Sequence, residues 1–412
     1  MGFMYKQVFR FCLFLLVAFF ISSVGFCPTA TALTDEQKLV SEAWRIVNRA
    51  YVDDTFNHQN WSTVRQKVLS KPLSNSQAAY DAIGQMLKNL DDPFTRFLNP
   101  EQYRSLQVNT SGELTGVGLQ IALNPDTGVL EVVAPIAGSP AQKAGIQARD
   151  KIVRIEGLST EKLTLDEAAA RMRGPIGSLV TLIIQREGIG EKEFRLTRNR
   201  IELNPVIAEL RNSDDGKSIG YIRLTQFNAN ASTEVSHAIS NLEKKGANAY
   251  ILDLRNNPGG LLQEGIDTAR LWLDSGTVVY TVNRQGIQGA FESFGPALTD
   301  DPLVLLVNQG TASASEILAG ALQDNHRAQL VGEKTFGKGL IQSLFGLSDG
   351  SGLAVTIAKY ETPNHHDIHK LGIKPDKIVT QEMITMNQIA TEADKQYQAA
   401  VELLNQKELA NS

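Results

Sequence analysis

The chain has 412 residues, of which 42% are hydrophobic and 21% charged, as in a globular protein with a real core and two or three domains. Its formal net charge is −5, and no basic run interrupts the sequence. A nucleic-acid-binding protein is therefore not expected, because binding to phosphate needs a basic surface.

The first 32 residues have the pattern of a signal peptide. Lys6 and Arg10 form a short positive region before an apolar stretch, CLFLLVAFFISSVG, that is short for a membrane span. The small-residue sequence ATA follows and predicts cleavage before Leu33; a retained membrane anchor is the alternative. Cleavage would also remove Cys12 and Cys27, the two cysteines of the chain. The mature protein would then have no disulfide, thiol nucleophile or cysteine metal site.

Three domains are predicted after the signal peptide. Residues 33–103 form a small helical domain that opens with a capping box at Thr34 and Gln37. Residues 104–198 are β-rich and close with an alternating hairpin. In residues 199–412 strands and helices alternate, which predicts an α/β core with a mixed, partly parallel sheet and a C-terminal helix.

The β-rich block resembles a PDZ domain. The segment SPAQKAGIQARDKIVRIEG is similar to the central part of such domains, and GVGL is similar to their carboxylate-binding loop. Glycines allow consecutive backbone amides to converge on the terminal carboxylate of a peptide, and the following strand offers an open edge. The resemblance implies a site for a peptide C-terminus at four residues: Gly116, Val117, Gly118 and Leu119.

A candidate nucleophile lies in the stretch GTASASEILAGALQDN. Thr311, Ser313 and Ser315 fall between the end of a predicted strand and the start of a predicted helix. The amino end of a helix and its free backbone N–H groups can stabilise an oxyanion, so a serine nucleophile is one interpretation. A simple helix cap is the other, since serines cap helices routinely.

No histidine is well placed to act as the base for such a serine. His237 falls inside a helical pattern and His326 at a helix end, while HHDIH at His365–His369 lies in a loop. That loop could suggest a metal site, but it has one acid among three histidines, so we interpret it as a polar surface loop.

A lysine is the alternative base. Lys338 lies between two glycines before an apolar strand, and burial would lower its pKa enough to supply a neutral amine. Gln342 falls on the same side of the predicted strand and could orient that amine. A solvated loop lysine, as we expect for Lys334, is the alternative reading of Lys338.

Taken together, these segments resemble the carboxyl-terminal processing peptidases, serine proteases with a Ser–Lys dyad and an embedded PDZ domain. The family lysine follows the nucleophile by 25 residues, as Lys338 follows Ser313. The resemblance therefore implies that Ser313 is the nucleophile, Lys338 the general base and Gln342 an assistant to the lysine. It also implies an oxyanion hole formed by the backbone amides of Gly259 and Ala314.

The resemblance further implies that several residues support the structure rather than react: Ser315, Asp253, Arg255 and Asp324. The fold implied is an α/β core with an inserted PDZ domain and a small N-terminal helical domain. Neither a metal nor an organic cofactor is expected, because a Ser–Lys dyad needs none.

The narrower similarity is to the cyanobacterial and chloroplast members, which process the precursor of the photosystem II reaction-centre protein D1. The segment VNQGTASASEILAGALQDN carries this similarity. It implies a protein substrate with an exposed C-terminal tail, transient contact with a membrane-embedded substrate, and a location in the thylakoid lumen or periplasm. A broad periplasmic quality-control protease and a non-catalytic peptide-binding protein are the rival hypotheses, and the need for an adaptor is left open.

Overall fold

The computed structural model describes residues 33–124, 127–212 and 216–411, apart from the side chains of 287, 288 and 407–411. The predicted signal peptide therefore lies outside the described residues. Within the described part of the chain, no helix combines the length and the apolar character needed to cross a membrane.

The N-terminal region consists of α1 (Asp35–Ala50), α2 (Trp61–Leu69), α3 (Ser76–Leu87) and a 3-10 turn, Lys88–Leu90. The predicted capping box is present: the Thr34 hydroxyl accepts from the Gln37 N–H at 3.2 Å, and Gln37 Oε1 accepts from the Thr34 N–H at 3.1 Å. Helix α2 was not predicted. It buries only Trp61, so its sequence lacks the apolar periodicity of a packed helix.

A short strand and a helix connect this region to the β-rich block: β1 (Arg96–Leu98) and α4 (Pro100–Ser111). None of the residues of α4 is buried, so its only sequence signal was the capping box of Asn99 and Gln102, and the helix was not predicted. The predicted boundary between residues 103 and 104 falls inside α4.

The β-rich block contains β2 (Glu113–Gly116), β3 (Leu119–Leu123), β4 (Leu130–Pro135), α5 (Pro140–Lys143), β5 (Lys151–Ile155), β6 (Leu158–Ser159), α6 (Leu165–Met172), β7 (Leu179–Arg186), β8 (Gly190–Thr197) and β9 (Asn199–Glu202). Its sheet has the order β3-β4-β5-β7-β8, with β6 on β5, and the predicted β7–β8 hairpin is present. Strands β2 and β9, the first and last strands of the block, pair with each other. Strand β3 lies at the edge of the sheet and is open for pairing.

The remaining elements are β10 (Val206–Asn212), β11 (Ser218–Leu224), α7 (Ala231–Lys244), β12 (Ala249–Asp253), α8 (Leu262–Arg270), β13 (Ser275–Asn283), β14 (Gly286–Phe294), β15 (Leu303–Val307), α9 (Ala314–Asp324), β16 (Ala328–Gly332), β17 (Leu340–Gly346), β18 (Gly352–Glu361), β19 (Lys377–Ile378), a 3-10 turn (Met386–Gln388) and α10 (Lys395–Asn411). Strands β10-β11-β12-β15-β16-β19 form one sheet, parallel except for β10. This confirms the predicted α/β core with a partly parallel sheet.

A second, antiparallel sheet has the order β1-β18-β13-β14, with β17 also paired to β18. The β13–β14 hairpin was not predicted, because two register shifts along β13 interrupt the alternation of a regular strand. Helices of the N-terminal region pack on this sheet, and Val40 and Ile83 share one apolar cluster with Leu353 and Val355 of β18. The N-terminal helices therefore have no core separate from the second sheet.

A buried charge network connects the first sheet to the start of α10. The Arg255 guanidinium donates to Asp253 Oδ2 and to Asp394 Oδ2, each at 2.7 Å, and the Tyr221 hydroxyl donates to Asp253 Oδ2 at 2.7 Å. Burial works against the charge of Arg255, but Asp253 and Asp394 more than offset it and raise its pKa above the ordinary value. Asp253 and Arg255 were expected to be structural, whereas Asp394 was not foreseen.

Replacing Asp394 with asparagine is expected to lower the free energy of unfolding by about 2 kcal/mol, because a buried, charge-assisted bond to Arg255 is lost. Glu402→Gln is the control. Its partner is Lys377 at 3.0 Å, but the two side chains are 65% and 37% exposed, so about 0.5 kcal/mol or less is expected. Urea unfolding measures both, and equal losses in the two variants would contradict the role assigned to the buried network.

Candidate active site

The loop between β15 and α9 carries three hydroxyl side chains with different partners. The Thr311 hydroxyl donates to the Leu254 carbonyl at 2.9 Å, and the Ser315 hydroxyl donates to the Asn257 carbonyl at 3.0 Å. Both side chains are fully buried and hold this loop against the loop after β12. The Ser313 hydroxyl makes no such bond to a neighbouring loop: it faces the Glu316 N–H at the start of α9, and Ser313 is only partly buried. Ser313 is thus the one of the three that is free to react.

Ser313 lies at the turn into α9 in a strained conformation, with φ 58° and ψ −119°. Gly259 packs directly against this turn. A Cβ atom at Gly259 would lie 2.8 Å from Ser313 Cβ and 2.6 Å from the Ala312 carbonyl oxygen. The close approach therefore requires glycine at position 259, which explains the NNPGG segment there.

Glu316 links the serine loop to the lysine segment. Its side chain is fully buried. Carboxylate Oε2 accepts the N–H groups of Ser313 at 2.9 Å and Lys338 at 2.8 Å. Carboxylate Oε1 accepts the Gly337 N–H at 2.7 Å and the Thr335 hydroxyl at 2.5 Å. One carboxylate therefore fixes the backbone of both predicted reacting residues.

Tyr360 of β18 reinforces this link. Its buried hydroxyl lies 2.5 Å from the Lys338 carbonyl oxygen and 3.1 Å from the Ser313 carbonyl oxygen. Sequence reasoning missed both Glu316 and Tyr360. Glu316 follows Ser313 by one helical turn, and its place inside an otherwise apolar helix was a usable signal.

The side chain of Lys338 is largely removed from water. Its Nζ lies 5.1 Å from the centre of the Phe94 ring, a cation–π distance. Burial lowers the pKa of Lys338 below that of an ordinary lysine, and the charge of Arg96 lowers it further. Asp92 and Glu316 act in the opposite direction. The net shift is downward, which is the direction that a general base requires.

The described contacts include no hydrogen bond from Lys338 Nζ to Ser313 or to Gln342. Gln342 lies on β17 opposite Thr356 of β18, and its Nε2 donates to the Thr356 hydroxyl at 3.3 Å. Ser313 and Lys338 lie on segments that Glu316 joins, and Gln342 follows Lys338 by four residues along the chain. Catalytic hydrogen bonds in proteases often form only when the substrate is bound.

The two amides predicted for the oxyanion hole differ in the structure. The Ala314 N–H, at the first position of α9, has no acceptor among the described residues. The Gly259 N–H donates to Asn257 Oδ1 at 2.9 Å, and the Asn257 side chain is fully buried. The amide of Ala314 is free for an oxyanion, whereas that of Gly259 would have to be shared with Asn257.

The predicted carboxylate-binding loop borders a small cavity of about 60 Å³ between β3 and α6. Gly118 has a positive φ of 77°, and a Cβ there would lie 2.2 Å from Ser139 Cβ, so glycine is required. Val117 is buried in the PDZ core, and Gly116 ends β2. Leu119 begins the open edge strand β3.

Two of the histidines considered as bases lie away from Ser313 in other contacts, whereas His369 borders the cavity beside the lysine segment. His237 is 67% exposed, 3.8 Å from Glu234, and His365 Nδ1 lies 2.9 Å from Glu361 and stacks on Tyr280. Within the described ranges no group of three or more His, Cys, Asp or Glu residues is arranged to hold a metal ion. Asp324 accepts the Asn364 N–H at 3.0 Å, which fits the structural role expected for it.

Comparisons with known proteins agree with this architecture. Residues 218–379 match the model of peptidase family S41, and residues 131–186 match that of the PDZ domain. A carboxyl-terminal-processing protease of Synechocystis sp. is 63% identical over 382 residues, covering 92% of this chain and 90% of the relative. The chloroplastic carboxyl-terminal-processing peptidase 2 of Arabidopsis thaliana is 48% identical over 361 residues, covering 85% and 70%.

A solved structure described as a photosystem II D1 C-terminal processing protease has a TM-score of 0.57 and 40% identity, and the match covers 88% of this chain and 99% of that one. The chain therefore belongs to the carboxyl-terminal-processing proteases of peptidase family S41. It is a serine protease with an embedded PDZ domain, as the sequence motifs predicted.

Proposed function

We propose that this protein removes C-terminal extensions from exported proteins with a Ser–Lys dyad, and that the precursor of the photosystem II protein D1 is its substrate. The observation that carries the dyad is the Glu316 carboxylate, which binds the backbone N–H groups of Ser313 and Lys338 at once. The name of the 40% identical structure supports the substrate.

In the proposed reaction, neutral Lys338 takes the proton of the Ser313 hydroxyl as Oγ bonds to the scissile carbonyl carbon. The Ala314 N–H, with that of Gly259, stabilises the oxyanion. Lys338 then gives its proton to the leaving amine as the carbon–nitrogen bond breaks. Water attacks the acyl-enzyme carbonyl carbon and loses a proton to Lys338. Lys338 returns that proton to the Ser313 oxygen as the bond between this oxygen and the acyl carbon breaks. No cofactor takes part.

The tail of the substrate would approach between the PDZ domain and the α/β core. A cavity of about 570 Å³ between the N-terminal region and the α/β core, lined among others by Phe94, Phe336 and Gly337, adjoins the lysine segment and gives room for the part of the tail that is cleaved. The loop at Gly118 and the open edge of β3 would hold the terminal carboxylate and the preceding residues.

The proposed location is the thylakoid lumen or the periplasm, after removal of residues 1–32. The relatives named as chloroplastic, together with the cyanobacterial one, support this location. Contact with a membrane-embedded substrate would then be transient and limited to its tail.

The test compares Ser313→Ala with Ser315→Ala on a peptide that carries the D1 precursor tail, with products identified by mass. Ser313→Ala is expected to lower kcat at least about ten-thousandfold, since the nucleophile is gone. Ser315→Ala should keep most activity and lose about 1 kcal/mol of stability, because only the bond to the Asn257 carbonyl is lost.

Full activity of Ser313→Ala would refute the dyad. Unfolded casein and other unfolded proteins form a second arm of the experiment. Cleavage of these proteins as fast as the tail peptide would refute the D1-specific substrate and favour a broad quality-control protease.

A further inference from the structure

A series of partly buried hydrogen bonds connects Asp92 of the N-terminal region to Gln342 through Thr356. The Thr356 hydroxyl donates to Asp92 Oδ2 at 2.7 Å, and Gln342 Nε2 donates to the Thr356 hydroxyl at 3.3 Å. Asp92 is held by the Phe94 N–H at 2.9 Å and by the Thr95 hydroxyl at 2.7 Å. Thr356, at the centre of these contacts, is 1% exposed, whereas Asp92 and Gln342 are partly buried.

The number of protons on each group fixes which partner donates in each of these hydrogen bonds. A threonine hydroxyl has one proton and two lone pairs, and an ionised carboxylate can only accept. Because the Thr356 proton goes to Asp92, the Thr356 oxygen offers only lone pairs to its two other neighbours, the Thr95 hydroxyl and the Gln342 amide, each at 3.3 Å. Gln342 must therefore present its NH₂ group to Thr356. Its carbonyl oxygen, Oε1, then points away from Thr356.

The orientation of the Gln342 amide affects Lys338, the proposed base. A carbonyl oxygen facing Lys338 would accept an amine N–H and leave the nitrogen lone pair free for the Ser313 proton. An amide NH₂ in that place would donate to the same lone pair and compete with Ser313. Fixing the orientation of Gln342 would therefore favour the productive state of Lys338.

We propose that Thr356, anchored by Asp92, is a positioning residue that holds the Gln342 amide with its carbonyl oxygen toward Lys338. This inference rests on the proposed function, because it assigns Lys338 the role of base. It also gives the segment DDPFT of the N-terminal region a part in the reaction through Asp92.

The test uses four variants: Thr356→Val, Thr356→Ser, Gln342→Ala and the double variant Thr356→Val/Gln342→Ala. Valine keeps the shape of threonine and removes the hydroxyl, while serine restores it. The D1 precursor tail peptide is the substrate, and kcat and KM are measured separately. Thr268→Val, which replaces a fully buried threonine in α8 whose hydroxyl has no partner among the described residues, is the control for the substitution itself.

Thr356→Val is expected to lower kcat about tenfold with KM unchanged, and Thr356→Ser to recover most of the loss. Because Thr356 acts through Gln342, the double variant should be no slower than Gln342→Ala alone. Thr268→Val should match the unsubstituted protein. Melting temperatures of all variants are measured, and Thr356→Ala takes the place of Thr356→Val should valine prevent folding.

Effects of Thr356→Val and Gln342→Ala that multiply, or a kcat of Thr356→Val within twofold of the unsubstituted protein, would overturn the inference. Either result with an inactive Ser313→Ala would leave the proposed function standing. An active Ser313→Ala would instead remove the proposed function itself, so the two failures are distinguishable.

Discussion

Replacing Lys338 with alanine is expected to lower kcat at least about a thousandfold, because the Ser313 hydroxyl then has no base to take its proton. The unsubstituted protein should lose activity as the pH falls through the pKa of Lys338, since the protonated amine cannot accept a proton. Burial lowers that pKa, so the loss should begin below the range of an ordinary lysine. The pH profile of kcat/KM for the tail peptide measures this directly.

Lys334→Ala is the matched control for this prediction. Lys334 is exposed and precedes Lys338 by four residues, so its removal should leave both the rate and the pH profile unchanged. A rate that is constant from about pH 5 to about pH 9, with chemistry limiting, would contradict a lysine base. So would a Lys338→Ala variant that retains full activity.

Replacing Glu316 with glutamine is expected to lower kcat at least about a hundredfold and the free energy of unfolding by about 3 kcal/mol. The carboxylate accepts four hydrogen bonds, two at each oxygen. A glutamine NH₂ in place of either oxygen would face donors and break two of these bonds, leaving buried N–H groups unsatisfied. Both the Ser313 turn and the Lys338 segment would then lose a fixed position, on which the rate depends steeply.

Steady-state kinetics and urea unfolding measure the two effects of Glu316→Gln. Loss of the Glu316 charge should also lower the pKa of Lys338, since that charge raises it, so any residual activity should extend to lower pH. Glu243→Gln, at an exposed position of α7, is the control and should change neither quantity. An active and stable Glu316→Gln would show that the carboxylate does not organise the site.

Most of the fold followed from local patterns. The alternation of strands and helices predicted the α/β core, and the capping box at Thr34 predicted the start of helix α1. Helix α4 was missed because it buries nothing, and the β13–β14 hairpin because its register shifts. Elements are predictable where burial imposes a period on the sequence, and these two lack that period.

Part of the candidate site was also predictable from local sequence patterns. Glycines and hydroxyl residues in short motifs mark Ser313 and Lys338, because these positions need local backbone geometry. The surroundings of Lys338 come from distant segments: Phe94 and Asp92 lie in the N-terminal region, and Tyr360 lies on β18. No spacing in the sequence brings such residues together, and only the sheet that joins β1 to β18 does so.

The pairing of β1 with β18 also sets the order in which the enzyme becomes competent. Phe94 and Asp92 are synthesised early, whereas β18, with Thr356 and Tyr360, emerges from the ribosome late. Contacts between such distant segments form slowly and only in a nearly complete chain. An incomplete chain therefore lacks the contacts that bury Lys338 and the hydrogen bond between Gln342 and Thr356. The topology therefore withholds the surroundings of Lys338 until most of the chain has been synthesised.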